Sequence, residues 1–250
     1  MNIIYKSVAI VFLLAICSTS LKAETFGGIN FPDGIVSFAD EIIRYEPLYS
    51  GGPAPTENLI TEYALGAPEG LATNKCLSLG SGGLVELLFV NNELINSGDD
   101  TADLHIFEIG SDVEDTFVAI RPTATTASLL GDSVLLDIDQ DGYYEIGKVY
   151  GSTSSIDIDS IFPGFEPGTL HFDAVQLIDD KNEGNSTGAT VGADIDAVGA
   201  IGSVRLCQFY LAGDVDFDCD VDLEDFALLA TNWLINCNQS PSEPACIPMQ

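Results

Sequence analysis

The sequence predicts a mainly β fold: a β-sandwich over residues 24–205, a short linker at 206–212 and a small loop–helix module over 213–250. Three observations predict it. From Glu24 to about Arg205, short runs of Val, Ile, Leu and Phe alternate with clusters of Gly, Asp, Asn, Ser and Pro, the pattern of many short strands joined by turns. Within one such run, Val134, Leu136 and Ile138 occupy alternate positions, as a half-buried strand requires. After Leu206 the pattern changes. Acids fall at every second position, and then Leu223, Phe226, Ala227, Ala230, Trp233 and Leu234 recur at spacings of three and four, which places them on one face of a helix.

A leader precedes the sandwich. Lys6 gives a positive start, the apolar run 8–17 follows, and Ser20, Lys22 and Ala23 close it with a small residue. This is the plan of a secretory signal over residues 1–23, with cleavage expected after Ala23. The apolar run is too short for a membrane span, which needs about 20 residues. No later segment reads as a transmembrane helix, so the mature chain is expected to be secreted, in the extracellular space or at the cell surface.

The chain carries 39 acidic and 8 basic residues, a formal net charge of −31. Such a charge repels nucleic acid and anionic membrane surfaces, and both are excluded as partners. Disorder does not follow, because apolar residues are plentiful and the acids do not form one block.

Taken in order, the candidate strands are 84–90, 104–109, 117–121, 134–138, 143–149, 170–178 and 198–206. Asp141–Gly142 sits between two of these runs and favours a tight hairpin, because both residue types tolerate positive φ. Residues 37–45 suit either a strand or a short helix, and the Gly- and Pro-rich stretch 49–57 reads as an exposed loop.

The acids after Gly213 have a metal-binding register. An EF-hand-type loop takes its ligands from positions 1, 3, 5, 7, 9 and 12. Counted from Asp214, those positions hold Asp214, Asp216, Asp218, Asp220, Asp222 and Asp225, with Asp220 contributing its backbone carbonyl. Val221 at position 8 is the apolar residue that would tuck the loop against its helix, and Asp225 already starts that helix. Carboxylates so crowded repel one another by about 1 kcal/mol per pair at 4 Å in water, and by about 4 at an effective dielectric of 20. A calcium ion removes that repulsion, so calcium is the cofactor the loop predicts. A second, weaker metal candidate is Asp137, Asp139 and Asp141, followed by Gly142 and Glu145, although position 12 there is Lys148 and the hairpin accounts for the same residues.

Of six cysteines, Cys17 leaves with the leader. Export permits disulfides among the rest. The expected bridges are Cys219–Cys237, folding the helix back over the loop, and Cys207–Cys246, with Cys76 left over. A unit as small as 213–250 has too little core to stand without such staples.

The stretch GDVDFDCDVDLEDFALLATNWL, residues 213–234, resembles a dockerin type I repeat, in which a calcium loop runs directly into a helix, and in particular the C-terminal repeat common in secreted planctomycete proteins. Position 6, normally glycine, is Cys219 here. The resemblance implies an anchoring tail and a cohesin-like protein partner, although a complete dockerin pairs two repeats and this chain shows one. It also implies a link to polysaccharide-degrading systems. The body resembles bacterial exported cell-surface proteins that often carry C-terminal sorting signals. The residues that carry this are FPDGIVSFADEIIRY (31–45), ALGAPEG (64–70), LSLGSGGLVELLF (77–89), DLHIFEIGSDVEDTFVAI (103–120), YGSTSSIDID (150–159) and GATVGADIDAVGAIGSV (188–204). That family implies a jelly-roll sandwich of galactose-binding-like type with no attached enzymatic activity. It also implies a surface role and a structural calcium, for which Asp194 and Asp196 are the candidates.

Nothing in the body reads as catalytic. His105 and His171 lie inside strand patterns without a Gly-x-Ser-x-Gly nucleophile, the glycine-rich run 184–192 lacks a Gly-Lys-Ser/Thr, and no grouped Cys and His ligands suit zinc. Glycoside hydrolysis needs two carboxylates. Asp112, Glu114 and Asp115, Asp157 and Asp159, or Asp194 and Asp196 could supply them, but in so acidic a chain such pairs arise without selection for chemistry. The expectation is therefore a non-catalytic, calcium-binding recognition or adhesion protein. Its alternatives are a carbohydrate-binding module that recognises a cell-surface polysaccharide, with Tyr143, Tyr144 and Tyr150 as the aromatics to inspect, and third a glycoside hydrolase.

Overall fold

A computed structural model describes residues 23–70, 75–109, 114–131, 137–151, 153–184, 186–207, 209, 211–215, 219, 221–233, 235–239 and 246. The leader up to residue 22, Asp112, Asp216, Asp218, Asp220 and Leu234 lie outside them.

The fold is mainly β and its sheets are antiparallel. A small sheet runs β10 (Thr153–Ile156), β7 (Leu104–Glu108), β12 (Asp194–Ala200), β4 (Leu77–Ser78). The larger sheet is built around β11 (His171–Asp179). On one side β11 pairs with β8 (Asp115–Pro122), which in turn pairs with β9 (Tyr144–Tyr150). On its other side it meets β5 (Leu84–Leu88) and then β6 (Asn92–Ile95), two consecutive strands laid end to end. Beyond them, β3 (Glu41–Glu46) pairs with β5, and β13 (Ser203–Arg205) with β6. A short helix α1 (Ala124–Leu130), capped by the Thr123 hydroxyl at Thr126 N–H, 3.3 Å, links β8 to the loop before β9.

One apolar core joins the two sheets. It takes Val85 and Leu87 from β5, Val118 and Ile120 from β8 and Val175 and Leu177 from β11, and it takes Leu104 and Ile106 from β7 and Ile195 and Val198 from β12. Most of these are alternate residues of their strands, as the two-residue period dictates. Two antiparallel sheets sharing one core are compatible with a β-sandwich. The outer face of the small sheet is also covered. The N-terminal hairpin of β1 (Glu24–Phe26) and β2 (Ile29–Phe31) brings Phe26 and Phe31 against Phe38 and Phe107. Gly199 on β12 makes room for it, since a Cβ there would lie 2.6 Å from the Phe31 ring.

Most of the sequence expectations meet their strands. The runs 84–90 and 104–109 contain β5 and β7, 117–121 covers part of β8, and 143–149 and 170–178 cover β9 and β11 except for their last residues. The run 198–206 breaks at Ile201–Gly202 between β12 and β13. Residues 37–45 resolve into the end of a 3-10 turn, Gly34–Ser37, and most of β3. Among the described residues no tight hairpin forms at Asp141–Gly142: residues 137–142 run as bends with Ile138 exposed, β9 pairs with β8, and the first arm of the expected hairpin, 134–136, lies outside the described set. The cause is local. The Glu145 carboxylate captures the Ile138 N–H at 3.0 Å, and Asp137 captures the N–H groups of Asp141 and Gly142 at 3.0 and 3.2 Å, so these three backbone donors bond to side chains and not across a turn.

The tail carries helix α2 (Leu223–Asn232). No helix among the described residues is long and apolar enough to cross a membrane. The two disulfides of the tail are consistent with an extracellular protein.

Candidate metal centre

Three of the six expected ligand positions in the tail are described, and they converge around the start of α2. Asp214 is 6% exposed and Asp225 2%. One Asp214 carboxylate oxygen accepts the Cys219 N–H at 3.1 Å. Its other oxygen, Oδ1, is buried and has no hydrogen-bond partner among the described residues. Asp225 accepts the N–H of Asp222 at 2.7 Å through Oδ2 and that of Val215 through Oδ1. The bond to Asp222, the residue before α2, is the reach-back half of a capping box, so Asp225 both ties the loop and starts the helix. Cys219 has φ +73°, the left-handed conformation that the glycine of such a loop normally supplies.

The cysteines pair differently from expectation. The bridges are Cys207–Cys219, with Cα atoms 5.2 Å apart, and Cys237–Cys246, at 5.5 Å, in place of Cys219–Cys237 and Cys207–Cys246. The ten residues of α2 stand between Cys219 and Cys237 and span about 15 Å, beyond the ~7 Å a bridge tolerates. Cys219 instead turns towards the chain entering the loop. Cys76 is the free thiol; it is buried, accepts the Asn58 amide N–H at 3.0 Å, and is pushed up to about 12 by burial.

Two further carboxylate groups converge. Asp137, Asp139 and Asp141 place oxygens within 4.8 Å of one another. Burial first and the Asp141 charge second raise the Asp139 pKa, and Asp141 also takes the Gln176 amide N–H at 2.6 Å. Asp103, Asp157 and Asp159 form the other group. Asp103 is buried, its pKa pushed up to about 6 by that burial, and accepts the N–H groups of Ser97 and Ile158 at 2.9 Å each. Asp159 holds Gly98 N–H at 2.8 Å and the Asn96 amide at 3.0 Å, so this group stitches turns together. The sequence pointed to Asp157 and Asp159 but missed Asp103, which lies more than fifty residues away in the chain.

Asp194 and Asp196 do not converge with a third carboxylate. Asp194 accepts the Ser78 hydroxyl, and burial pushes its pKa up to about 6. Asp196 accepts the N–H groups of Glu69 and Gly70 at 3.2 and 2.8 Å. Glu108 and Glu114 are buried together, and burial followed by the Glu114 charge pushes Glu108 up to about 9. His105 is buried against Ser155 and Phe107, with its pKa pushed down to about 4 by burial. His171 bridges Glu93, at 2.7 Å, and the Gly168 carbonyl, at 3.1 Å. Of the three tyrosines singled out, Tyr143 is buried, Tyr144 half-buried and Tyr150 exposed.

Comparison with family models, with curated proteins and with solved structures gives no match.

Proposed function

We propose that the protein is a secreted, non-catalytic calcium-binding protein. Its body is a jelly-roll-type sandwich that serves as a surface recognition or adhesion domain, and its tail is a dockerin-like anchoring unit closed by one calcium ion. The observation that carries this reading is the buried, unpartnered Asp214 Oδ1 at position 1 of the acidic loop. A buried carboxylate oxygen without a donor costs several kcal/mol unless a cation or a proton meets it. Asp214, Asp216, Asp218, Asp222 and Asp225 would supply carboxylate oxygens and Asp220 its carbonyl, the hard oxygen set that calcium takes. Cys219 at φ +73° and Asp225 at the helix start support the same register. The anchoring partner would be a cohesin-like protein, and the role would lie alongside extracellular polysaccharide breakdown.

Calorimetric titration of the full, oxidised chain with calcium tests it. The expected result is a high-affinity site lost in Asp214→Asn, with helical circular dichroism falling on chelation. Unchanged titration in Asp214→Asn would overturn the assignment. The same titration reports on Asp137, Asp139 and Asp141: a second equivalent lost in Asp139→Asn would assign calcium to that loop too.

A further inference from the structure

We infer that the outer face of the larger sheet binds a neutral saccharide, in the cleft between the rings of Phe117 and Tyr150 and the loop carrying Ile138 and Asp139. The inference rests on the reading of the body as a recognition domain, and not on the calcium reading of the tail. The cleft measures about 550 Å³, within the range of sites that take small ligands. Its floor is Phe117 on β8 and Gln176 and Ile178 on β11, and Glu145, Lys148 and Tyr150 approach from β9.

The two faces of the molecule differ in how they treat their aromatic rings. On the small sheet Phe31, Phe38 and Phe107 are buried among one another. On the larger sheet Tyr150 is 68% exposed and Phe117 45%, although they stand on paired strands. Their positions are set by an ion. The Lys148 ammonium lies 5.1 Å from the Phe117 ring centre and 5.5 Å from that of Tyr150. It is itself fixed by Asp115 at 2.8 Å and Asp180 at 2.6 Å. Two exposed rings held in place before a ligand arrives lower the cost of ordering a binding surface.

The polar lining selects the ligand. Asp139 and Glu145 are acceptors, suited to the hydroxyl donors of a sugar, while the rings suit its C–H face. The one ammonium in the lining is already paired with two carboxylates, so a phosphate, sulfate or uronate finds no free positive charge and meets negative ones. A neutral polyol with one apolar face satisfies both constraints.

The test is affinity electrophoresis of the full chain through xylan, galactomannan, β-glucan and starch, with polygalacturonate and poly-lysine as charged comparators. One neutral glycan is expected to retard the protein, with a dissociation constant raised about tenfold or more in Tyr150→Ala and Phe117→Ala, a loss of roughly 1.4 kcal/mol. Tyr150→Phe, which keeps the ring, should retain binding. Phe209→Ala, an exposed ring in the linker, and Asp214→Asn should also retain it, which separates this site from the proposed calcium loop. Thermal melts matching the unaltered chain show that the alanine variants fold. Retardation by none of the neutral glycans, retardation by a charged comparator alone, or unchanged binding in a folded Tyr150→Ala would each overturn the inference.

Discussion

The body and the tail stabilise their backbones by opposite means. In the body, Val, Leu, Ile and Phe from both sheets are withdrawn from water, and the acids buried with them, such as Glu86, Glu108 and Asp196, are outnumbered by that apolar core. In the tail, the two described aromatics remain outside, Phe226 at 60% and Trp233 at 72% exposure, while the buried side chains include the acids Asp214 and Asp225. Apolar burial yields roughly 25 cal/mol per Å², so a segment that buries carboxylates in place of rings must draw its order from covalent and ionic links. The tail has both kinds: two disulfides, and a loop whose carboxylates hold backbone N–H groups. The difference teaches that the two regions should respond to different perturbations.

The largest expected effect is in the body. Phe172 is fully buried on β11 near the join of β5 and β6, its ring 5.7 Å from that of Phe162. Phe172→Ala should cost about 3–5 kcal/mol of stability by denaturant titration. Calcium affinity of the tail should be unchanged in the folded fraction. A parallel loss of calcium affinity would break the comparison, by showing that the body's packing sets the loop.

The converse experiment is next in size. Asp225→Ala removes the helix-starting acid and, in the proposed register, the ligand at position 12. Calcium affinity should fall by about 100-fold or more, since ligand charge tunes such loops over several orders of magnitude. The main thermal transition, which reports the sandwich, should stay where it was. Calorimetry showing unchanged affinity would mean that Asp225 only caps α2.

How far the sequence carries differs between the regions for the same physical reason. Strands such as β5, β7 and β11 were legible because each is a short apolar run, buried along most of its length, set between clusters of turn residues. β4, with two residues, and β1 and β2, with three each, are too short to leave a period. The DIDQDG stretch was misread as a hairpin because its Asp-Gly pair suits either structure. What decides is where the Asp137 and Glu145 carboxylates send their bonds, and that is a three-dimensional matter. The acidic register at 214–225 was plain from spacing, whereas the bridges were not, since four cysteines allow three pairings and spacing does not rank them. Tyr150 was named among three tyrosines, but Phe117 was not, because nothing in the chain says that the outer face at that point is left open.

The disulfide Cys207–Cys219 is the covalent join between the end of the β body and the acidic loop, and it sharpens the comparison at a smaller scale. A double Cys207→Ser, Cys219→Ser variant should lose about tenfold in calcium affinity, roughly 1.4 kcal/mol. It loses the tether and leaves a serine at φ +73°, where side chains are strained. Cys207→Ser with Cys219→Gly should recover part of that loss, because glycine adopts this conformation freely. Equal affinities for the two variants would show that the tether, and not the turn, matters.

The smallest effect lies in the body again, where a carboxyl is buried beside a second one. Glu108 on β7 is 5% exposed beside the equally buried Glu114, and burial, followed by the Glu114 charge, pushes its pKa up to about 9 from an ordinary value of 4.5. Between those values the folded protein holds a proton that the unfolded chain has lost. The contribution of Glu108 is therefore fully present below pH ~4.5 and is lost as pH rises through about 9. Glu108→Gln keeps the shape without the charge. It should flatten the pH dependence of stability across that window and raise Tm on its alkaline side by roughly 2–4 °C, the shift that about 1 kcal/mol produces in a chain of this size. If the acidic loop holds calcium as proposed, it has the reverse dependence, because its carboxylates must be ionised to hold a cation, so calcium affinity should rise with pH while the body weakens. Thermal melts of Glu108→Gln from pH 5 to 9, read beside calcium titrations of the same samples, separate the two slopes. If Glu108→Gln leaves the melting profile unchanged, the proton does not reside on Glu108.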